Sequence, residues 1–293
     1  MQPLNTWSLN VLYKKSGEIC DYVKKHHRIS FVVLGDSHLV CTEIKDNQYI
    51  IDSNGQQYEK TLKHILENKK INPMFIVHGG DAVNAGDNSD SFAAFAQVTK
   101  SVLSSSNLPI FVSLGNHDYN RYDASSKNFK SYIGAVRGIV PIPGTHIKYI
   151  YLNTHFSDAP MNNYFAKFSE DDIKLLLSEN EILNNKYHYI IDFHTPLRNS
   201  SSSLPLNDHE LSFPETTRFS NSVKNLKIIG IFCHHKHISY KTKVRIYHSD
   251  DPIRYVISGC GGNHYNNENF SYYYITIDTN NFKMTDCKKY IVS

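Results

Sequence analysis

Three short apolar segments in the first half of the chain are each followed, within two residues, by glycine and a polar side chain. They are residues 29–34, 74–77 and 109–114, which lead into Gly-Asp, Gly-Gly-Asp and Gly-Asn-His. Runs of this length, rich in β-branched and aromatic residues, are typical of buried strands. Helical patterns lie between them at residues 57–69 and 89–103. Strands that alternate with helices predict a parallel sheet.

The second half of the chain continues with strands and then changes character. Further strands are predicted at residues 146–153, 187–193 and 226–232. A helix is predicted at residues 170–177, where Ser169 is placed to cap its first turn. Closely spaced strand candidates without helical pattern follow at residues 238–247, 254–258, 272–277 and 282–291. This last series predicts an antiparallel sheet.

The chain shows no internal linker. Residues 195–213 include four consecutive serines and lack periodicity, which indicates a long loop that could act as a lid. A length of 293 residues is ordinary for one α/β domain. We therefore expect a single domain over residues 1–293, with core motifs at about 29–237 and C-terminal strands at 238–291.

Composition excludes several classes of protein. No apolar run approaches the roughly 20 residues that span a membrane, and the N-terminus lacks the pattern of a secretory signal, so a cytoplasmic location is expected. The five scattered cysteines form no CxxC pair, which argues against a disulfide framework and a cysteine zinc site. A net charge of +3 is too small to indicate a nucleic-acid partner. The oligomeric state is not determined by the sequence.

Metal-binding side chains follow the predicted strands. In chain order the polar residues at these positions are Asp36, His38, Asp81, Asn116, His117, Asp118, His194, His235 and His237. In parallel sheets such residues converge on one edge, where ligands bind. Carboxylate and imidazole donors suit zinc, manganese or iron better than calcium. Their number exceeds the need of one ion, and a shared carboxylate can bridge a pair that clamps a phosphoryl group.

This ordered set resembles the calcineurin-like metallophosphoesterase family. The matching motifs are Gly-Asp36-Ser-His38, Gly-Asp81, Gly-Asn116-His117-Asp118, His194 and His235-Lys-His237. Five separate matches in the right order are far more specific than one short motif. The resemblance implies an α/β fold, a four-layer α/β/β/α sandwich of two mixed sheets flanked by helices.

The resemblance also implies a role for each residue. One metal ion would be held by Asp36, His38, Asp81 and His237. The other would be held by Asp81, Asn116, His194 and His235. The pair would be divalent or mixed-valence ions of manganese, iron or zinc, and a hydroxide bridging them would attack phosphorus. His117 would donate a hydrogen bond or proton to the leaving group, and Asp118 would orient His117.

Two positions depart from the family pattern. His234 stands where the family has glycine before its last H-x-H. We choose His235 and His237 as ligands because this spacing on an extended segment places both on one face and His234 on the other. Asn84 occupies the position of the tyrosine ligand of purple acid phosphatases, so a tyrosinate iron site is not expected.

Residues outside the motifs give weaker signals. Arg121 and Tyr122 follow Asp118 and could line the substrate pocket, with Arg121 binding a phosphate oxygen. His155 follows a predicted strand and could approach the site. His264, in a glycine-rich turn, could shape the floor of the cleft. Surface or structural roles are expected for His26, His27, His64, His188, His209 and His248.

These features predict a metal-dependent hydrolase that acts on a phosphate monoester or diester of a small substrate. A narrower alternative is a phosphodiesterase acting on cyclic nucleotides or other nucleotides, which the Gly-Asn-His-Asp motif permits. A non-catalytic binding scaffold is the least favoured alternative, because scaffolds on this fold usually lack several ligands and here each position is filled.

Overall fold

Helices and strands alternate through the parts of the chain that the computed structural model describes, residues 2–120, 125–155, 166–182, 186–198, 210–244, 253–259 and 270–293. The α-helices are α1 Leu4–Lys14, α2 Ser16–His26, α3 Ser53–Glu67, α4 Ser89–Leu103, α5 Lys127–Tyr132, α6 Glu170–Asn180 and α7 Phe213–Ser222. The strands are β1 Arg28–Leu34, β2 Cys41–Lys45, β3 Gln48–Ile51, β4 Phe75–His78, β5 Ile110–Val112, β6 Gly138–Pro141, β7 Ile147–Leu152, β8 His188–Phe193, β9 Lys227–Cys233, β10 Ser239–Val244, β11 Ile253–Ser258, β12 Ser271–Asp278 and β13 Lys283–Ile291.

The strands form two mixed sheets and one separate hairpin. The first sheet has the order β13-β12-β1-β4-β5, in which β1, β4 and β5 are parallel. The second has the order β10-β11-β9-β8-β7-β6, in which β7, β8, β9 and β11 are parallel. Strands β2 and β3 pair only with each other among the described residues.

Three buried apolar clusters stack these sheets and helices into layers. The central cluster fills the space between the sheets, where Phe31 and Phe75 stack with ring centroids 4.9 Å apart and Phe232 of the second sheet meets Phe31 edge-on. A second cluster packs α3 and α4 on the first sheet. A third packs α6 and α7 on the second sheet. The predicted four-layer α/β/β/α sandwich of two mixed sheets is confirmed.

The C-terminal strands depart from the prediction. They do not form an antiparallel sheet of their own, because β12 and β13 extend the first sheet while β10 and β11 extend the second. Strand β12 pairs antiparallel with β1 from Arg28↔Asp278 to Val33↔Tyr273. The four C-terminal strands thus form two antiparallel pairs, one in each sheet, and the local pattern of the sequence did not indicate this division.

The strands that lead into the ligand motifs lie where they were predicted. Helix α4 has the predicted bounds, and Ser169 caps α6 by accepting a hydrogen bond from the Asp172 amide. Helices α1, α2, α5 and α7 and strands β2, β3 and β6 were not predicted. The predicted lid loop lies mainly outside the described residues. Within the described segments, every helix is too short or too polar to cross a membrane.

Helix α1 covers the open edge of β5. The Val112 amide donates to Asn5 Oδ1 over 2.9 Å, and Asn5 Nδ2 donates to the Val112 carbonyl over 3.0 Å. The Ile110 amide donates to Ser8 Oγ over 3.0 Å. Two side chains thus make the hydrogen bonds that a neighbouring strand would make. They occupy backbone groups of β5 that would otherwise be open to pairing with another strand.

Candidate metal centre

The ends of five strands deliver the seven predicted ligands to one place between the two sheets. Asp36 and His38 follow β1, Asp81 follows β4, and Asn116 follows β5, all from the first sheet. From the second sheet, His194 follows β8, while His235 and His237 follow β9. The loops interlock, since the Asp36 amide donates to the Gly80 carbonyl and the His38 amide to the Asp81 carbonyl.

The first cluster contains Asp36, His38, Asp81 and His237, and one ligand atom from each lies within 4.8 Å of the others. His38 Nε2 is 3.2 Å from His237 Nε2 and 3.4 Å from Asp81 Oδ2. His237 Nε2 lies 3.6 Å from Asp36 Oδ1. Two carboxylates and two imidazoles converging at these distances are chemically suited to a divalent cation.

The second cluster contains Asp81, His194 and His235, again within 4.8 Å. His194 Nε2 lies 3.2 Å from Asp81 Oδ2 and 3.0 Å from the amide oxygen of Asn116. His194 Nδ1 is hydrogen-bonded to the Gly79 carbonyl over 2.8 Å. That bond leaves Nε2 as the nitrogen directed toward a metal, the usual arrangement for a ligating histidine.

Asp81 belongs to both clusters and uses its two oxygens differently. Oδ1 accepts a hydrogen bond from the His117 amide over 2.8 Å. Oδ2 is buried, accepts no hydrogen bond of good geometry from the described residues, and lies between His38 Nε2 and His194 Nε2. A buried carboxylate oxygen in this position is costly unless a cation meets it. The described residues therefore fit a metal pair on either side of Asp81.

The charges of the metal-free protein agree with this arrangement. Burial opposes ionisation of Asp81, but the neighbouring His194 charge outweighs it and holds the pKa of Asp81 well below its usual range. Burial would lower the pKa of His194, yet Asp81 raises that pKa to about 9. Burial raises the pKa of Asp36 and lowers the pKa of His38 to about 3. A metal ion would displace the proton of His194, since imidazole binds metals in its neutral form.

Five of the seven predicted ligands have left-handed backbone conformations. Their φ angles are 58° at Asp36, 46° at His38, 50° at Asp81, 67° at His235 and 51° at His237. Positive φ is uncommon outside glycine, although aspartate and histidine tolerate it better than most residues. Such conformations cost roughly 1–3 kcal/mol each and persist where the surrounding fold enforces them. Strained backbone of this kind is typical of functional sites, and here it is concentrated at the predicted ligands.

Close contact between two loops requires glycine at two positions. A Cβ atom on Gly115 would lie 2.2 Å from both the amide nitrogen and Oδ1 of Asp81. A Cβ atom on Gly80 would lie 2.5 Å from the Gly115 nitrogen, and Gly80 also has φ of 93°. These glycines let the loop after β5 approach the central carboxylate.

His117 lies at the edge of the clusters. Its Nδ1 bonds to the Asn84 carbonyl over 2.8 Å, and its ring meets the His38 ring edge-on at 4.5 Å between centroids. With Nδ1 so engaged, Nε2 is the nitrogen available to a substrate. Purple acid phosphatases have a tyrosine ligand at the position of Asn84. Here Asn84 contributes its peptide carbonyl, which bonds to His117.

Asp118 does not orient His117 as predicted. Its Oδ1 accepts from the Val83 amide over 3.1 Å and its Oδ2 accepts from the Gly115 amide over 2.9 Å. Both oxygens are therefore engaged with backbone, and the imidazole that it was expected to hold is bonded to Asn84 instead. Burial and the Asp81 charge raise the pKa of Asp118 to about 7. The structure gives Asp118 a role in fixing the loops after β4 and β5.

His234 points away from both clusters into the protein interior. Its Nε2 lies 3.0 Å from Asp192 Oδ1, its Nδ1 lies 2.6 Å from the Ser258 carbonyl, and the side chain is fully buried. His235 and His237 lie at the clusters, but the segment is not extended as assumed, because both residues have left-handed φ. His234 therefore points away from His235 and His237 because the backbone turns here, and not because side chains alternate along a strand.

His155 stands beside the second cluster, although the motifs do not include it. Its ring centroid is 5.4 Å from that of His194 and 6.2 Å from that of His235. Burial, with the charges of His194 and His235, lowers the pKa of His155 well below its usual range. The signal in the sequence was its position just past a strand end. The described residues do not include Arg121, Tyr122, His209, His248 and His264.

Comparisons with known proteins agree with this geometry. The sequence profile of the calcineurin-like phosphoesterase family matches residues 29–239. A curated relative, the uncharacterized protein YvnB of Bacillus subtilis, is 33% identical over 97 residues, which cover 32% of this chain and only 7% of that protein.

Solved structures show the same fold. A dimetal phosphatase from Danio rerio superposes with a TM-score of 0.59 at 10% identity, covering 90% of this chain and 99% of that one. A purple acid phosphatase from yellow lupin has a TM-score of 0.56 at 13% identity, covering 89% of this chain and 53% of that one. A putative 5'-nucleotidase from Staphylococcus aureus has a TM-score of 0.51 at 14% identity, covering 90% of this chain and 54% of that one.

The family match, together with the aspartate and histidine clusters, supports the use of divalent metal ions. It extends over well more than half of the residues and spans all seven predicted ligands. This chain belongs to the calcineurin-like phosphoesterase family.

Proposed function

We propose that this chain is a metal-dependent hydrolase of small phosphate esters whose site holds two metal ions. The observation that carries the proposal is the position of Asp81 Oδ2, which lies 3.4 Å from His38 Nε2 and 3.2 Å from His194 Nε2. One oxygen thus faces a nitrogen donor of each cluster. The activity is that of the family to which the chain belongs, and a dimetal phosphatase is among the structures that share its fold.

The two clusters support a separate set of ligands for each ion. Asp36, His38, Asp81 and His237 would hold the first ion. Asp81, Asn116, His194 and His235 would hold the second. When bound, the pair supplies the positive charge that activates water and stabilises the phosphoryl group in the transition state. Manganese, iron and zinc all suit a donor set of carboxylate, amide oxygen and imidazole without thiolate.

The chain's own groups position the substrate and handle protons. The Asn84 carbonyl accepts the Nδ1 proton of His117, so Nε2 donates to the leaving-group oxygen when the ring carries a proton on both nitrogens. Its backbone amide fixes Oδ1 of Asp81, so one residue connects the leaving-group side of the site to the central carboxylate. Asp118 keeps the two loops that carry these groups in register.

A hydrolysis assay with controlled metal content tests this function. Protein stripped of metal is reloaded separately with manganese, zinc and iron, and each form is given a chromogenic phosphate monoester and the matching diester. We expect at least one metal to restore hydrolysis that the stripped protein lacks. Preference for the diester would justify a screen of nucleotide substrates. Metal-loaded protein that hydrolyses neither ester nor any nucleotide would contradict the proposal.

A further inference from the structure

His155 occupies a place beside the second cluster that the proposed ligand set leaves unused. Its ring stands edge-on to the His194 ring at an interplanar angle of 69° and is tilted by 51° from the His235 ring. It is not among the residues whose atoms converge within either cluster. It is therefore adjacent to both imidazoles of the second cluster without being grouped with them.

Hydrogen bonds hold the His155 ring in place from one side. The His155 amide donates to Asn153 Oδ1 over 2.7 Å, which fixes the turn after β7. Its Nε2 lies 2.7 Å from Thr195 Oγ1, and Thr195 follows His194 directly in the chain. The ring is thus tied to the same loop that presents His194.

The threonine pair favours one tautomer of the His155 ring. Thr154 Oγ1 accepts from the Thr195 amide over 3.2 Å and donates to Thr195 Oγ1 over 3.4 Å. Because Thr195 Oγ1 already accepts from Thr154, the arrangement in which its own proton goes to His155 Nε2 uses both the donor and the acceptor capacity of this hydroxyl, and we adopt it. Because Nε2 accepts, the neutral ring carries its proton on Nδ1. The Nδ1–H group makes no hydrogen bond with the described residues and is the one left for a ligand.

We infer that His155 is a substrate-binding residue, whose Nδ1–H donates to a phosphoryl oxygen of a substrate at the second cluster. This inference rests on the proposed function. A neutral N–H donor beside the metal ligands can bind an anionic oxygen without adding another charge to a site that already carries two ions. Because Thr154 and Thr195 fix the ring beforehand, binding costs little side-chain ordering.

Two substitutions distinguish the roles of the two ring nitrogens of His155. In His155→Asn the amide nitrogen can occupy the position of Nδ1, so the donor is kept and the bond to Thr195 is lost. In His155→Gln the amide reaches the position of Nε2, so the bond to Thr195 is kept and the Nδ1 donor is lost. His64→Gln, a change to a partly buried histidine on α3, is the control.

Binding of inorganic phosphate to the manganese-loaded proteins, measured by calorimetry, is the primary readout, and metal content is measured on the same samples. We expect His155→Gln to lose about tenfold in phosphate affinity, while His155→Asn stays within about threefold of wild type. Both variants should keep the metal content of wild type and of the control. In steady-state assays the same loss should fall on KM more than on kcat.

Several results would overturn the inference. They are wild-type phosphate affinity in His155→Gln, equal losses in the two variants, loss of metal in either, or no phosphate binding by wild type. Because phosphate binding needs no turnover, the outcome is independent of whether any ester is hydrolysed. A wild-type protein that binds metal and phosphate but hydrolyses no ester would defeat the proposed function and leave the His155 comparison intact.

Discussion

At the scale of single residues, hydrogen bonds to the backbone of neighbouring loops hold two of the proposed ligands in place. His194 is fixed through Nδ1 by the Gly79 carbonyl, and the Asp36 carboxylate accepts from the His235 amide over 3.1 Å. Groups held in this way reach a metal with their remaining donor atom already oriented. The strained backbone angles of the same residues are consistent with a site shaped before a ligand arrives.

His117→Ala should slow turnover and leave the metal content unchanged, because the backbone amide that holds Asp81 remains. The loss in kcat should be roughly 100-fold or more for substrates with poor leaving groups, which need a proton, and smaller for good leaving groups. The measurement is kcat against leaving-group pKa for a series of aryl phosphates. An equal loss across the series would show that His117 positions the phosphate and does not protonate the leaving group.

Gly79 and His234 are predicted to be coupled. A Cβ atom on Gly79 would lie 1.7 Å from the His234 ring, so Gly79→Ala must displace the ring and break its contact with the buried Asp192. We expect Gly79→Ala to lower the free energy of unfolding by about 3 kcal/mol. In a His234→Gly background the same change should cost far less, because the ring is gone.

A double-mutant cycle by urea unfolding measures this coupling. The predicted interaction energy between the two positions is about 2 kcal/mol or more. Additive effects of the two substitutions would show that the ring and the glycine do not share the space that the structure assigns to them.

The sequence identified the ligand candidates but not the residues that support them. Asp36, Asp81 and the histidines stand in motifs whose order is diagnostic. His234 and Asp192 lie more than 40 positions apart and meet only because β8 and β9 are neighbours. A contact of this kind leaves no local pattern, so it could not be predicted without the fold.

At the scale of elements, the strands that carry the proposed ligands at their ends were easier to predict than the helices that cover the sheets. Strand β1 is apolar at every position after Arg28 except Ser30, and all of these positions are buried. Helix α1 has Asn5 and Ser8 among its buried positions, because both bond to the edge of β5. Polar residues on the buried face weaken the apolar periodicity from which helices are predicted.

Asn5→Ala should destabilise the protein by roughly 1–3 kcal/mol, since it leaves the Val112 amide and carbonyl buried without these partners. Asn10→Ala is the matched control, an asparagine at an exposed position of the same helix. The two free energies of unfolding are compared by chemical denaturation. Equal effects would show that the edge of β5 does not depend on Asn5.

At the scale of the whole molecule, buried histidines connect stability to pH. His78 is fully buried at the end of β4, where its Nε2 lies 3.0 Å from Ser37 Oγ and the rings of Tyr58 and Phe95 pack against it. Burial lowers the pKa of His78 to about 3. Between that value and the ordinary value of 6.5, the unfolded chain binds more protons than the folded one, so His78 destabilises the fold as pH falls.

We therefore expect the free energy of unfolding of the metal-free protein to decrease from pH 6.5 toward pH 3, and His78 contributes up to about 1.4 kcal/mol per pH unit. His78→Gln should reduce that slope, because glutamine does not titrate. His26→Gln, at an exposed position on α2, serves as the control. Urea unfolding at several pH values gives the slopes. Identical slopes for wild type and His78→Gln would contradict the assignment.

The strand order of the two sheets could be predicted only in part, because it depends on pairing between segments that are far apart in the chain. The four layers were implied by the family resemblance, and the alternation of strands and helices agreed with them. The division of the last four strands between two sheets did not, because β12 reaches β1 across nearly the full length of the chain. That division brings Ser258 of β11 to His234, behind the proposed metal centre.

The central claim, two metal ions joined by Asp81, is tested most directly by electron paramagnetic resonance of the protein loaded with manganese. With two equivalents bound per chain, wild type should give the spectrum of an exchange-coupled pair. Asp81→Asn, which replaces the bridging carboxylate by an amide, should lose the coupling and at least one ion. A wild-type spectrum of isolated manganese ions, or coupling that survives in Asp81→Asn, would contradict a site built around this carboxylate.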